Sequence, residues 1–161
     1  QTYNKLNSTW TMWAHLPHDT DWSLSSYKKI MTFDTIEELL SLIDIIPEKM
    51  VKNCMLFIMR GDIKPIWEDE ENRNGSCISY KINNRLVYNI WRQMSKFMIA
   101  ETLVDDIKIQ ENINGITVSP KKNFCIIKLW FNSNVDENSI IKINKNIKEI
   151  ENFEGIFKRH I

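Results

Sequence analysis

The 161 residues predict an α/β (α+β) domain, a curved and mostly antiparallel β-sheet with three helices packed on its convex face. Three observations carry that expectation. Apolar and aromatic runs of strand length recur along the chain. Three other stretches space their apolar residues by three and four. The links between strands are short and hold turn residues. One domain spanning residues 1–161 is long enough to bury a core without disulfide or metal staples.

Taken in order, "WTMWAHL" (10–16) and "YKKIMTF" (27–33) read as strands. In "DTIEELLSLIDIIP", Asp34 or Thr35 can cap a helix, with Glu37 or Glu38 returning the bond. Ile36, Leu39, Leu40 and Ile43 then share a face, and Pro47 ends it. "CMLFIMR" (54–60) is a buried-looking strand, and a short strand over 77–82 meets the turn Asn83–Asn84. A second helix over 86–102 aligns Ile90, Trp91, Met94, Phe97, Met98 and Glu101. Residues 116–118 and 125–131 form a hairpin around "SPKKN". A third helix over 136–151 is expected from Ile140, Ile143, Ile147 and Ile150, and a last strand lies near 156–161.

Twenty-one basic and twenty-one acidic residues cancel, which disfavours a protein that tracks along a nucleic-acid backbone but leaves room for a pocket that takes one nucleotide. Cys54, Cys77 and Cys125 are widely spaced with no CxxC pair, so they read as reduced thiols of a cytoplasmic protein. No export signal or long apolar run is evident, and no membrane partner is expected.

Six tryptophans divide by context. Trp10, Trp13 and Trp91 sit in periodic segments and read as core. Trp22, in "HDTDWSLSS", and Trp67, in "GDIKPIWEDEENRNGS", have polar neighbours on both sides. If both face one slot, two indoles can sandwich a flat base, at about 1–3 kcal/mol per stacked base. A positively charged ring gains about 0.5–2 kcal/mol more. Glu68 then adds selectivity, because a carboxylate accepts two parallel hydrogen bonds and guanine offers such a pair at N1 and its 2-amino group. Taken alone, Glu68 is a solvated charge in an acidic run.

"WTMW", "DWSLSSYKKIMTFDTIEELL", "IKPIWEDEENRNG" and "KLWF" closely resemble the eukaryotic translation initiation factor 4E family, cytoplasmic proteins that bind the 7-methylguanosine cap of mRNA. The similarity runs from about Leu6 to Phe131 and is weaker beyond. Its most specific stretch is Pro65, Trp67, Glu68, Asp69, Glu70 and Asn72. The resemblance implies a cap slot on the concave face with Trp22 and Trp67 as its slabs. Glu68 would sit on the guanine edge, the Trp67 N–H at O6, and Trp130 at the N7-methyl group. Lys121, in the "SPKKN" turn, stands where the family carries an arginine for the phosphates, with Lys122 beside it. A second basic position is Ile126 here, and Lys128 faces the same way. Arg73, Lys158, Arg159 and His160 are further phosphate candidates.

The family's helical back takes a scaffold or regulator protein, and there this chain departs from the pattern. Leu40 replaces a tryptophan, Arg92 and Lys96 replace apolar residues, and Asn4, Lys5 and Leu6 stand where the family reads His-Pro-Leu. Losing an aromatic anchor and gaining two cations weakens such a groove, so Ile36, Leu40, Arg92, Gln93 and Lys96 are expected to serve a partner with a non-standard motif, unless that surface is idle. No cofactor is called for. About a quarter of the residues are isoleucine or asparagine, a bias that suits an AT-rich parasite or virus.

Other readings compete with a binding module that performs no chemistry. His15 and His18, with Asp19 and Asp21, could form a hydrolytic metal cluster, but they lack a third ligand of known spacing and read better as a solvent-facing turn. A single-stranded RNA binder would need a basic surface and aromatics alternating along adjacent strands. Within the cap reading, the protein either serves translation, represses it by sequestering caps, or turns its slot to another nucleotide.

Overall fold

In a computed structural model that describes residues 3–161, seven strands form one curved antiparallel sheet in the order β2-β1-β3-β5-β6-β4-β7. They are β1 (Lys5–His15), β2 (Tyr27–Thr35), β3 (Met55–Arg60), β4 (Ser76–Asn83), β5 (Ile113–Pro120), β6 (Phe124–Phe131) and β7 (Gly155–Arg159). The alternation that marks each strand sends one set of side chains to either side. On β6, Ile127, Leu129 and Phe131 enter the main core, while Ile126, Lys128 and Trp130 face the other way.

The main core lies on the convex side, beneath α1 (Ile36–Ile45), α2 (Glu48–Asn53) and α4 (Val87–Ile99). A variant of the capping box forms at α1, with the return bond one residue ahead of the cap. Thr35 Oγ1 accepts from the Glu38 N–H at 3.2 Å, and Glu38 Oε1 accepts from the Asp34 N–H at 3.2 Å. Trp10 and Trp91 are fully buried, and the Arg60 guanidinium lies 4.5 Å from the Trp10 ring. Arg60 also pairs with Glu101 and donates to the Ile113 carbonyl, which fixes the end of β3.

A second, smaller cluster sits on the concave side. Trp13, Phe57, Met59 and Trp130 form it, with Tyr27, Met55 and Ile63 packed against them. Trp13 therefore belongs to this cluster rather than to the main core.

The third α-helix expected over 136–151 does not form. That segment is turns and a single bridge, Val104 to Ile143, followed by a 3-10 turn at Lys148–Asn152. Its asparagines and aspartates explain the difference. Asp136 Oδ1 accepts from the Asn138 N–H and Asn144 Oδ1 from the Asn146 N–H, both at 2.9 Å, so local turns take the donors a helix would use. Ile147 and Ile150 are buried, but Ile140 is 74% exposed. The short α2 beyond Pro47 joins α1 and α4 on the convex face instead. Two other short helices went unread in the sequence, α3 (Glu70–Arg73) and α5 (Ile107–Gln110).

Candidate functional site

The concave cluster is the floor of a cavity of about 450 Å³. Two loops overhang it. One joins β1 to β2 and carries Trp22; the other joins β3 to α3 and carries Trp67 and Glu68. Both tryptophans are about half exposed, at 56% and 49%, whereas Trp130 in the floor is 7% exposed.

Two successive side-chain turns build the first loop. Asp19 Oδ1 accepts from the Asp21 N–H and Asp21 Oδ1 from the Ser23 N–H, each at 2.9 Å, so Trp22 sits on a constrained backbone. The Ser23 bond is also the chief reason that the Asp21 carboxyl is held below its ordinary range. His15, expected in a solvent-facing turn, is instead 2% exposed beneath Trp22. The two rings are parallel to within 2°, with centroids 3.7 Å apart. His15 Nε2 lies 2.8 Å from the Asp21 carbonyl, which only accepts, so this nitrogen carries the proton. His18 does lie on an exposed turn, with a positive φ of 66°. Among the described residues, no group of three or more His, Cys, Asp and Glu side chains is placed to hold a metal ion.

The second loop is locked from inside by Asn72, which is fully buried. Its Nδ2 donates to the carbonyls of Lys64, at 3.1 Å, and Ile66, at 2.9 Å. Its Oδ1 accepts from Asn114 at 2.9 Å. Asp69 caps α3 through Glu71 and accepts from the Lys64 N–H at 2.8 Å. The acidic run thus divides in two: Asp69 shapes the loop, while Glu68 faces the cavity. Tyr27, half-buried in the wall, has its phenol pushed above the usual range by burial and then by the Glu68 charge.

The floor is held as firmly. Trp130 Nε1 donates to Thr117 Oγ1 at 2.8 Å, and the His160 ring packs against Trp130 at 5.2 Å. His160 Nδ1 lies 2.6 Å from the Asn72 carbonyl and must donate to it, which leaves Nε2 as the nitrogen with the lone pair. Burial holds this histidine below its ordinary range, so at neutral pH it brings no charge. Burial raises the Cys77 thiol in the same wall.

Trp22, Trp67, Glu68, Trp130, Lys128, Lys158 and Arg159 all line this one cavity. Arg159 is also paired with Glu137 at 2.8 Å. Lys121 lines an adjoining cavity of about 210 Å³, shared with His15 and Trp22. Lys122 and Arg73 are exposed and line neither cavity. On the convex side, Ile36, Leu40 and Lys96 come together with Lys5 and Leu6 around a cavity of about 310 Å³. Arg92 is engaged elsewhere, by Asp44 at 3.2 Å and the Tyr88 hydroxyl at 2.9 Å, and Gln93 is half-buried outside that cavity.

Two of these residues were invisible as site residues in the sequence. Asn72 stood in the motif without a role, and nothing local marks His15 as buried. Among the described residues, no helix is long and apolar enough to cross a membrane.

Comparison with known proteins places the chain in a family. The family model "Eukaryotic initiation factor 4E" matches residues 5–160. Eukaryotic translation initiation factor 4E of Saccharomyces cerevisiae is 28% identical over 152 residues, which cover 90% of this chain and 69% of the yeast protein. The initiation factor 4E homolog of Acanthamoeba polyphaga mimivirus is 26% identical over 136 residues, covering 71% of this chain and 50% of the viral one. Among solved structures, a schistosome eIF4E complexed with m7GpppG and 4E-BP superposes with a TM-score of 0.83 at 22% identity, over 99% of this chain and 90% of that one. With the family model spanning nearly the whole chain, this protein belongs to the eukaryotic initiation factor 4E family.

Proposed function

We infer that the concave cavity binds the 7-methylguanosine cap of mRNA, with the methylated base stacked between Trp22 and Trp67. One observation carries the reading: two half-exposed indoles, on separate loops, open onto one cavity together with the Glu68 carboxylate. An exposed indole loses apolar contact with each face it leaves wet, and a flat cation is the ligand that uses both rings at once. Glu68 accepts from guanine N1 and its 2-amino group, the Trp67 N–H serves O6, and Trp130 in the floor meets the N7-methyl. Lys128 and Lys158 supply charge for the phosphates. Arg159 lines the same cavity but is shared with Glu137, Lys121 takes the outer part of the phosphate chain from the adjoining cavity, and Lys122 and Arg73 are more distant. Relatives solved with m7GpppG and with an m7G cap support this reading. The reaction is binding alone, with no bond made or broken, and it serves translation initiation or its control in the cytoplasm.

Intrinsic fluorescence titrated with 7-methyl-GTP and with GTP tests it. Strong quenching by the methylated ligand alone, lost in Trp67→Ala, is the expected result. Equal weak responses to both would mean that the slot takes another nucleotide.

A second reading concerns the convex face, where Ile36, Leu40 and Lys96 border an apolar cavity that Lys5 also lines. Relatives solved with 4E-BP and with Mextli bind a regulator protein. This chain lacks an aromatic anchor there and presents Lys5 and Lys96, while Arg92 and Gln93 lie outside the cavity. A partner with a non-standard motif fits that surface, and a protein that ignores the usual scaffold would hold caps away from translation. A peptide carrying the standard tyrosine-and-leucine motif is expected to bind weakly; tight binding would overturn this second reading.

A further inference from the structure

We propose that His15 is the positioning residue of the slot, a buried pedestal that presets the face Trp22 offers to the base. The proposal rests on the stacking role given to Trp22 above. An indole that is 56% exposed on a loop would ordinarily sample several rotamers, and a ligand would have to fix it at an entropic cost. Here one of its faces is already covered. The His15 ring lies parallel to it at 3.7 Å, so only the opposite face is free for a ligand.

His15 itself cannot drift. It is 2% exposed and comes from β1 of the sheet rather than from the loop. Its Nε2–H is spent on the carbonyl of Asp21, the residue just before Trp22. Tyr27 closes the arrangement from the side, meeting His15 edge-on at 5.2 Å and Trp22 at 6.3 Å. One residue therefore fixes the ring of Trp22 by stacking and its backbone by a hydrogen bond. The slot is set before the ligand arrives, and the added base continues a stack already begun.

Three substitutions separate the contributions. His15→Phe keeps a flat ring and loses the hydrogen bond. His15→Ala loses both. His15→Leu fills the volume without a flat face, and replaces the alanine variant should that fail to fold. Calorimetric titration with 7-methyl-GTP should show about a tenfold loss of affinity in His15→Ala and His15→Leu, and within about threefold of the parent in His15→Phe. Parent-like affinity in a folded His15→Leu would overturn the proposal. So would a phenylalanine variant as weak as the leucine one.

A readout without ligand keeps this proposal apart from the cap reading. The share of acrylamide quenching due to Trp22 is the difference between each protein and its Trp22→Phe partner. It should rise in His15→Ala and His15→Leu and stay unchanged in His15→Phe. A parent protein that does not bind 7-methyl-GTP removes the cap reading, and the quenching series then decides the role of His15. No rise in either variant would end the pedestal.

Discussion

Asn72 concentrates more of the site's geometry in one side chain than either exposed tryptophan does. It has no contact of its own with the cavity, yet it ties the carbonyls of Lys64 and Ile66, just ahead of Trp67, to Asn114 on β5. Asn72→Ala leaves two half-buried carbonyls and the Asn114 amide without this partner. The expected cost is about 1–3 kcal/mol in urea denaturation, together with weaker 7-methyl-GTP binding, since Trp67 loses its fixed approach. His160 adds a pH dependence from the other side of Asn72. Its folded pKa lies below 6.5 because of burial, so the unfolded chain takes up the proton first. The stability it contributes is complete above about pH 6.5 and is lost as pH falls through the depressed folded value. Urea midpoints measured from pH 7.5 to 5 should fall less steeply in His160→Gln than in the parent. In the sequence, Trp67 and Glu68 are legible because a tryptophan among carboxylates is anomalous. Asn72 and His15 are ordinary residues whose importance comes from burial, and no local pattern shows that.

At the scale of elements, the strands and the helices α1 and α4 are readable because their periodicity coincides with their burial. The capping residues at Asp34, Thr35 and Glu38 marked the start of α1 to within a residue. The segment 136–151 misled because its isoleucines recur at helical spacing while only some of them enter the core. Ile140 and Ile147 would share a helical face, but the fold treats them in opposite ways, with Ile140 exposed and Ile147 fully buried. Ile140→Asp should therefore change stability by about 0.5 kcal/mol or less. Ile147→Ala should cost about 2–5 kcal/mol. Similar losses from both, measured by chemical denaturation, would restore the helix. Asparagine was the warning sign: at this density it competes for backbone donors more strongly than isoleucine organises a face.

Across the whole molecule, one sheet serves two unlike surfaces. Its convex side holds the large core that sustains the fold, and its concave side a small aromatic floor beneath a cavity that Trp22 and Trp67 line. On the proposed reading of the cavity, stability and recognition fall on different residues. The double variant Trp22→Ala, Trp67→Ala should stay folded and lose only about 1–3 kcal/mol in urea denaturation, because both rings are half exposed and the main loss is the stack of Trp22 on His15. Its response to 7-methyl-GTP should vanish. A large loss of stability would mean that the overhanging loops also support the fold. The sequence disclosed this division of labour only in part. It placed helices on one side of a sheet, but it could not show that Trp13 would join Trp130 beneath the slot instead of packing with Trp10.

The strand order leaves β2 and β7 as the two margins of an open sheet. An unpaired margin is a template on which another chain can add a strand and seed an aggregate. Both margins here carry the usual deterrents. β2 places Lys28 and Lys29 in solvent, and its pairing with β1 slips between Met12 and Trp13, which distorts the edge. β7 is five residues long and ends in exposed Lys158 and Arg159. Lys158 thereby has two duties, since the cation that lines the slot also guards the flank of the sheet against uninvited pairing.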